Sequence, residues 1–128
     1  MGGLHDIVFD CRHPASVARF WAAALDGYAV APYDEAELAR LRANGIFDVN
    51  DDPSVLVVRV DGGDPRLIFQ LVPEPKTVKN RVHLDMLADD LAAETERLVE
   101  LGARRVADHG DFRVFCDIEG NEFCVARR

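Results

Sequence analysis

The chain has 128 residues, 48% of them apolar and 30% charged, with a formal net charge of −8. That length can bury one hydrophobic core without disulfide or metal staples, and the negative balance excludes the basic face that a nucleic-acid partner requires. The longest apolar run, Phe20 to Leu25, is far too short to span a bilayer, so no membrane partner is expected.

The first six residues lack both a basic and an apolar stretch, so no secretory signal is expected. Three cysteines, Cys11, Cys116 and Cys124, cannot all pair within one chain and match no zinc-ribbon spacing. Reduced thiols and a cytoplasmic location follow as expectations. His5 to Asp10 is the first strand. Arg12-His13-Pro14 starts a helix, because proline at a first-turn position gives up an N–H that has no helical partner. Val17, Phe20, Trp21, Ala24 and Leu25 form its apolar stripe, with Phe20 and Trp21 assigned to the core, and Gly27 closes it. Tyr28 to Ala31 is a short strand. Asp34 to Asn44 reads as a helix with Asp34 and Glu37 as a capping pair and Gly45 after it. Ser54 to Val60 and Arg66 to Val72 are strands joined by the turn Asp61-Gly62-Gly63-Asp64-Pro65.

Pro73-Glu74-Pro75-Lys76 interrupts the pattern. Arg81 to Leu87 is a strand opened by His83, followed by a helix that Asp89 or Asp90 caps and whose apolar face includes Leu91, Leu98 and Val99. Ala103 to Ala107, Phe112 to Cys116 and Glu122 to Ala126 complete the set, with Asp117 to Asn121 as the last turn. The same order of pieces therefore occurs twice, as expected of a duplicated supersecondary unit. The expected fold is α+β, with two βαβββ modules in one domain of residues 1–128, paired about a pseudo-twofold axis so that mixed curved sheets form a cleft. Module 1 spans about 4–73, the linker 74–79 and module 2 about 80–128, with a helical insertion at 34–45.

Two segments carry a resemblance. Asp117-Ile118-Glu119-Gly120-Asn121-Glu122-Phe123-Cys124 is similar to the last turn and strand of the vicinal oxygen chelate superfamily, which holds glyoxalase I, extradiol dioxygenases, and the fosfomycin- and bleomycin-resistance proteins. Arg81-Val82-His83-Leu84-Asp85 is similar to the opening of that superfamily's second module, and together they resemble its glyoxalase-like domain subgroup. The resemblance implies a homodimer, and it implies metal ligands at the first and last strands of each module. Those positions are His5, Gln70, His83 and Cys124.

Imidazole and thiolate favour zinc, whereas a primary amide is a poor ligand. Cys124 replaces the carboxylate that relatives use as ligand and base, which argues against glyoxalase I proper and against extradiol dioxygenase chemistry. Asp85 and Glu122 are the substitute catalytic carboxylates, since strand alternation places them beside His83 and Cys124. Arg66, Arg81 and Arg113 are the cations nearest these strands. His13 and His109 are expected to face solvent. Two readings stay open. One is a metal-assisted lyase or isomerase acting on a small oxygenated substrate, with a divalent ion, zinc first, as cofactor. The other is a metal-free protein that binds a small molecule, as bleomycin-resistance proteins do.

Overall fold

The computed structural model describes residues 1–128 as two units, Met1–Pro75 and Lys76–Arg128, each with one four-stranded mixed sheet. The first contains β1 (Asp6–Cys11), α1 (Pro14–Ala24), β2 (Tyr28–Val30), α2 (Glu35–Ala43), a 3₁₀ turn (Val49–Asp51), β3 (Ser54–Arg59) and β4 (Arg66–Leu71). Its strand order is β1-β4-β3-β2, with β1 and β4 parallel and the other pairs antiparallel. The second contains β5 (Leu84–Ala88), α3 (Leu91–Leu101), β6 (Arg104–Asp108), β7 (Phe112–Cys116) and β8 (Glu122–Arg127). Its order, β5-β8-β7-β6, repeats the same plan, with β5 and β8 parallel. The chain is thus α+β with two similar modules.

In the first unit α1 starts at Pro14 and buries Val17, Phe20, Trp21 and Ala24 against β2, β3 and β4. Phe20 and Trp21 meet edge to face at 5.4 Å, and Phe9 links Trp21 to Phe69 of β4 at centroid distances of 5.9 and 4.9 Å. Such ring pairs add to what their burial contributes. α2 is capped by Asp34, whose Oδ1 accepts from the Glu37 N–H at 2.8 Å. The Glu37 carboxylate turns to Arg40 instead of completing a reciprocal cap.

In the second unit Asp90 is the cap of α3, accepting from the Ala93 N–H at 3.0 Å. The buried stripe of α3 is Leu91, Thr95 and Leu98, and Val99, expected on it, is 45% exposed. Thr95 takes that place because its hydroxyl is fully used. It donates to the Leu91 carbonyl at 2.7 Å and accepts from Arg113 at 2.7 Å. Phe115 and Phe123 stack at 5.4 Å on the same side of the sheet. Side chains alternate across a strand, so each sheet has a helix face and an open face. On the open face of the second sheet lie Asp85, Leu87, Cys124, Ala126, Phe112 and Val114.

α3 ends at Gly102, in the left-handed region at φ +117°, where an added Cβ would stand 2.8 Å from Ile118 Cγ2. Gly102→Ala therefore meets both an unfavourable backbone conformation and a clash with the turn before β8. The expected loss is about 1–3 kcal/mol of unfolding free energy, read from urea denaturation, whereas Gly110→Ala, with φ +85° and open space around it, should lose less.

Candidate functional site

The last strand is launched by a turn that the sequence dictates atom by atom. Asp117 is buried, and its Oδ1 accepts from the backbone N–H of Glu119 and of Asn121, both at 2.9 Å. Its Oδ2 accepts from the Asn121 side-chain amide at 3.1 Å, and Gly120 supplies the left-handed residue at φ +87°. A carboxylate that collects local N–H donors defines an Asx-type turn. The turn fixes where β8 begins and hence which face Cys124 takes.

Parallel register then sets the neighbours of Cys124. Asp85 is its direct partner on β5, and His83 lies two residues earlier on the same face. His83 Nε2 is 3.1 Å from Asp85 Oδ1, and one ligand atom from each of His83, Asp85 and Cys124 lies within 4.8 Å of the others. His83 and Asp85 are exposed and Cys124 is half-buried. Burial pushes the Cys124 thiol up, the Asp85 carboxylate adds to this, and Lys79 partly opposes it. Imidazole, carboxylate and thiolate form a donor set that suits zinc, and three such ligands would leave room at the ion for a bound molecule. The residues present therefore fit a divalent ion.

Register also places the first-unit residues. Val72 N donates to the Cys11 carbonyl and Arg128 N to the Ala88 carbonyl, both at 2.9 Å, so these ladder steps correspond. Counting back from them aligns Asp6 with His83 and Ile68 with Cys124. His5 and Gln70 fall out of step, Gln70 standing opposite Asp10 as Ala126 stands opposite Leu87. Helix spacing carries the same information, since Asp6 precedes Pro14 of α1 by as many residues as His83 precedes Leu91 of α3.

His5 Nδ1 is 2.7 Å from Asp64 Oδ1, and Gln70 donates to Asp10 Oδ1 at 2.8 Å. The two lie five strand steps apart along the β1–β4 pair, about 16 Å. One ion cannot take both as ligands there. Asp6, the residue that the reading of the sequence passed over, is held by Arg66 through bonds of 2.7 and 3.0 Å, which keep its carboxyl below the usual carboxylate range.

Glu122 has both oxygens engaged. Oε1 accepts from Lys76 Nζ at 2.8 Å and Oε2 from the Asn80 N–H at 2.9 Å. Burial opposes its ionisation, but these two donors prevail and lower it to about 2. A carboxylate so held suits a fastener better than a base. Two of the arginines are similarly committed, Arg66 to Asp6 and Arg113, on the helix face, to Thr95 and Asp108, whereas Arg81 is exposed. His13 and His109 are exposed, and His109 stacks on Phe112 at 4.7 Å.

The sequence model of the glyoxalase-like domain family matches residues 6–126. The chain belongs to that family, within the vicinal oxygen chelate superfamily. A search of curated proteins finds no match. Among solved structures, the fosfomycin resistance protein FosX of Mesorhizobium loti is similar at 16% identity and a TM-score of 0.68, over 98% of this chain and 91% of that one. A glyoxalase/bleomycin resistance protein/dioxygenase family enzyme of Burkholderia phytofirmans is similar at 13% identity and 0.66, over 98% of both chains. A FosX variant of Listeria monocytogenes, solved with Mn(II) and a dihydroxypropylphosphonic acid, is similar at 10% identity and 0.66, over 98% of this chain and 90% of that one. These likenesses concern the fold. No helix of the chain is long and apolar enough to cross a membrane.

The Glu122 clasp should show in acid stability. Its folded-state value lies below the ordinary 4.5, so the clasp stabilises above about that pH and is lost as pH falls toward about 2. Glu122→Gln is expected to lose about 1–3 kcal/mol at pH 7 and to flatten the decline between pH 5 and 2. Urea midpoints measured across that range test it, and an unchanged acid limb would sink the assignment.

Proposed function

We propose that the chain is a metal-assisted enzyme acting on a small oxygenated molecule, with His83, Asp85 and Cys124 as the ligand set. The observation that carries this reading is the meeting of those three side chains on the open face of one sheet. Relatives place a carboxylate at the position of Cys124, where it serves both as ligand and as base. Here Asp85, the register partner of Cys124, offers that carboxylate from the adjacent strand. The second unit thus still presents a carboxylate beside an imidazole and a thiol.

A divalent ion at this place would polarise a substrate oxygen and stabilise charge that develops on it. His83 and Cys124 hold the ion with a nitrogen and a sulfur donor. Asp85 has two oxygens, so one can face the ion while the other accepts a proton from a carbon beside the polarised group and returns it elsewhere. Isomerisation and lyase chemistry both need that proton movement. Glu122 takes no part in the transfer, and His5 and Gln70 lie outside this ligand set.

Elemental analysis of untagged protein, prepared apo and then offered zinc, nickel, manganese or iron, tests the reading. About one zinc per chain is expected, with His83→Ala and Cys124→Ala losing most of it and Asp85→Asn binding about 10- to 100-fold more weakly. Uptake of none of the four metals would end the metal-assisted reading. Metal-free binding of a small molecule, the other function open to the family, would then take its place.

A further inference from the structure

Beyond the ligand set, the open face of the second sheet carries an apolar notch. Ala126 follows Cys124 by two residues on β8 and shares its face. Its register partners are Leu87 on β5 and Phe112 on β7. Both are large and apolar, and they are 55% and 39% exposed. A small floor therefore lies between two tall walls at one level of the sheet. Adjacent strands are about 4.8 Å apart, so the walls rise from points about 9.6 Å apart across Ala126. A planar ring needs about 3.5–4.0 Å from carbon to carbon on each side, and one ring fits. The Phe112 wall is steadied by His109, stacked on its outer side with ring planes at 18°.

We infer that this notch receives the uncharged aromatic group of a substrate whose oxygen atoms are held at His83, Asp85 and Cys124. The inference rests on the metal reading above and names the substrate class for it. Position selects the occupant. Along β8 the notch is about 7 Å from Cys124, the span from a chelating oxygen pair to a ring one or two bonds away. Chemistry selects it too, because Leu87, Ala126, Phe112 and the neighbouring Val114 offer no charge and no side-chain hydrogen-bond donor. Asp85 stands with the ligand set, and the charges just past the notch, Asp89 and Arg128, pair with each other at 3.0 Å. A molecule with a polar, oxygen-bearing head and a flat apolar tail meets both halves. A substrate as small as a three-carbon acid would leave Leu87 and Phe112 in water.

Simple hydroxamates separate the head from the tail, since each presents the same pair of oxygen donors. Binding of acetohydroxamate, benzohydroxamate and phenylacetohydroxamate to the zinc-loaded full chain is measured by calorimetry, with zinc per chain determined on the same samples. At least one aryl member is expected to bind about tenfold or more tightly than acetohydroxamate. Ala126→Leu, which fills the notch, should remove that preference while zinc per chain stays at the wild-type level, and Leu87→Ser should weaken it. Equal affinities across the series with zinc bound would overturn the notch and leave the metal reading standing, as would an aryl preference that survives Ala126→Leu. Absence of zinc uptake by the wild-type chain would overturn both.

Discussion

Parallel pairing of the first and last strands of each unit is the constraint on which the rest depends. A parallel pair cannot be closed by a tight turn, so the intervening chain must carry a helix and two further strands before the last strand returns. In both units that return brings residues from the two ends of the unit side by side. Asp85 meets Cys124 across this pair, and Asp6 meets Arg66 across its counterpart. Chemistry that needs donors from distant parts of the sequence is assembled by one hydrogen-bond register. A slip of one residue in β8 would turn Cys124 to the helix face, away from Asp85.

The two copies have used that register differently. In the first unit the open-face pair is a carboxylate and a guanidinium joined by two hydrogen bonds, and Ile68 stands where the second unit has its thiol. That pair is chemically closed, with acceptor and donor satisfying each other. In the second unit His83, Asp85 and Cys124 bring only donor groups for a cation, with Glu122 drawn off by Lys76 and Asn80. Divergence between duplicated modules here means that one copy pairs a carboxylate with a guanidinium, whereas the other gathers an imidazole, a carboxylate and a thiol.

Much of the fold was legible because its boundaries rest on local chemistry. Pro14 at the start of α1, Asp90 at the cap of α3 and the Asp117 to Asn121 turn act within a few residues of themselves. His83 and Cys124 were legible for the same reason, being anchored by nearby motifs. The phase of β1 was not. His5 and Asp6 are adjacent polar residues, and either could lead an alternating strand. Only the ladder step at Cys11 and Val72, or the spacing to α1, separates them. The bond between Lys76 and Glu122 joins residues 46 apart in sequence, and no local pattern announces it. Thr95 was missed on the buried stripe of α3 because its partner, Arg113, comes from a strand that follows the helix.

His83 sits just before the first ladder residue of β5, where the sheet itself does not hold the backbone. The Glu122 clasp reaches Asn80, so only Arg81 and Val82 separate His83 from a point tied to the strand that bears Cys124. A free approach loop would surrender backbone freedom when its imidazole is captured, at about 1–2 kcal/mol per residue ordered. Here the Asn80 bond to Glu122 removes part of that freedom beforehand. The carboxylate that looked like a second base thus ties the chain leading to His83 onto the strand that bears Cys124.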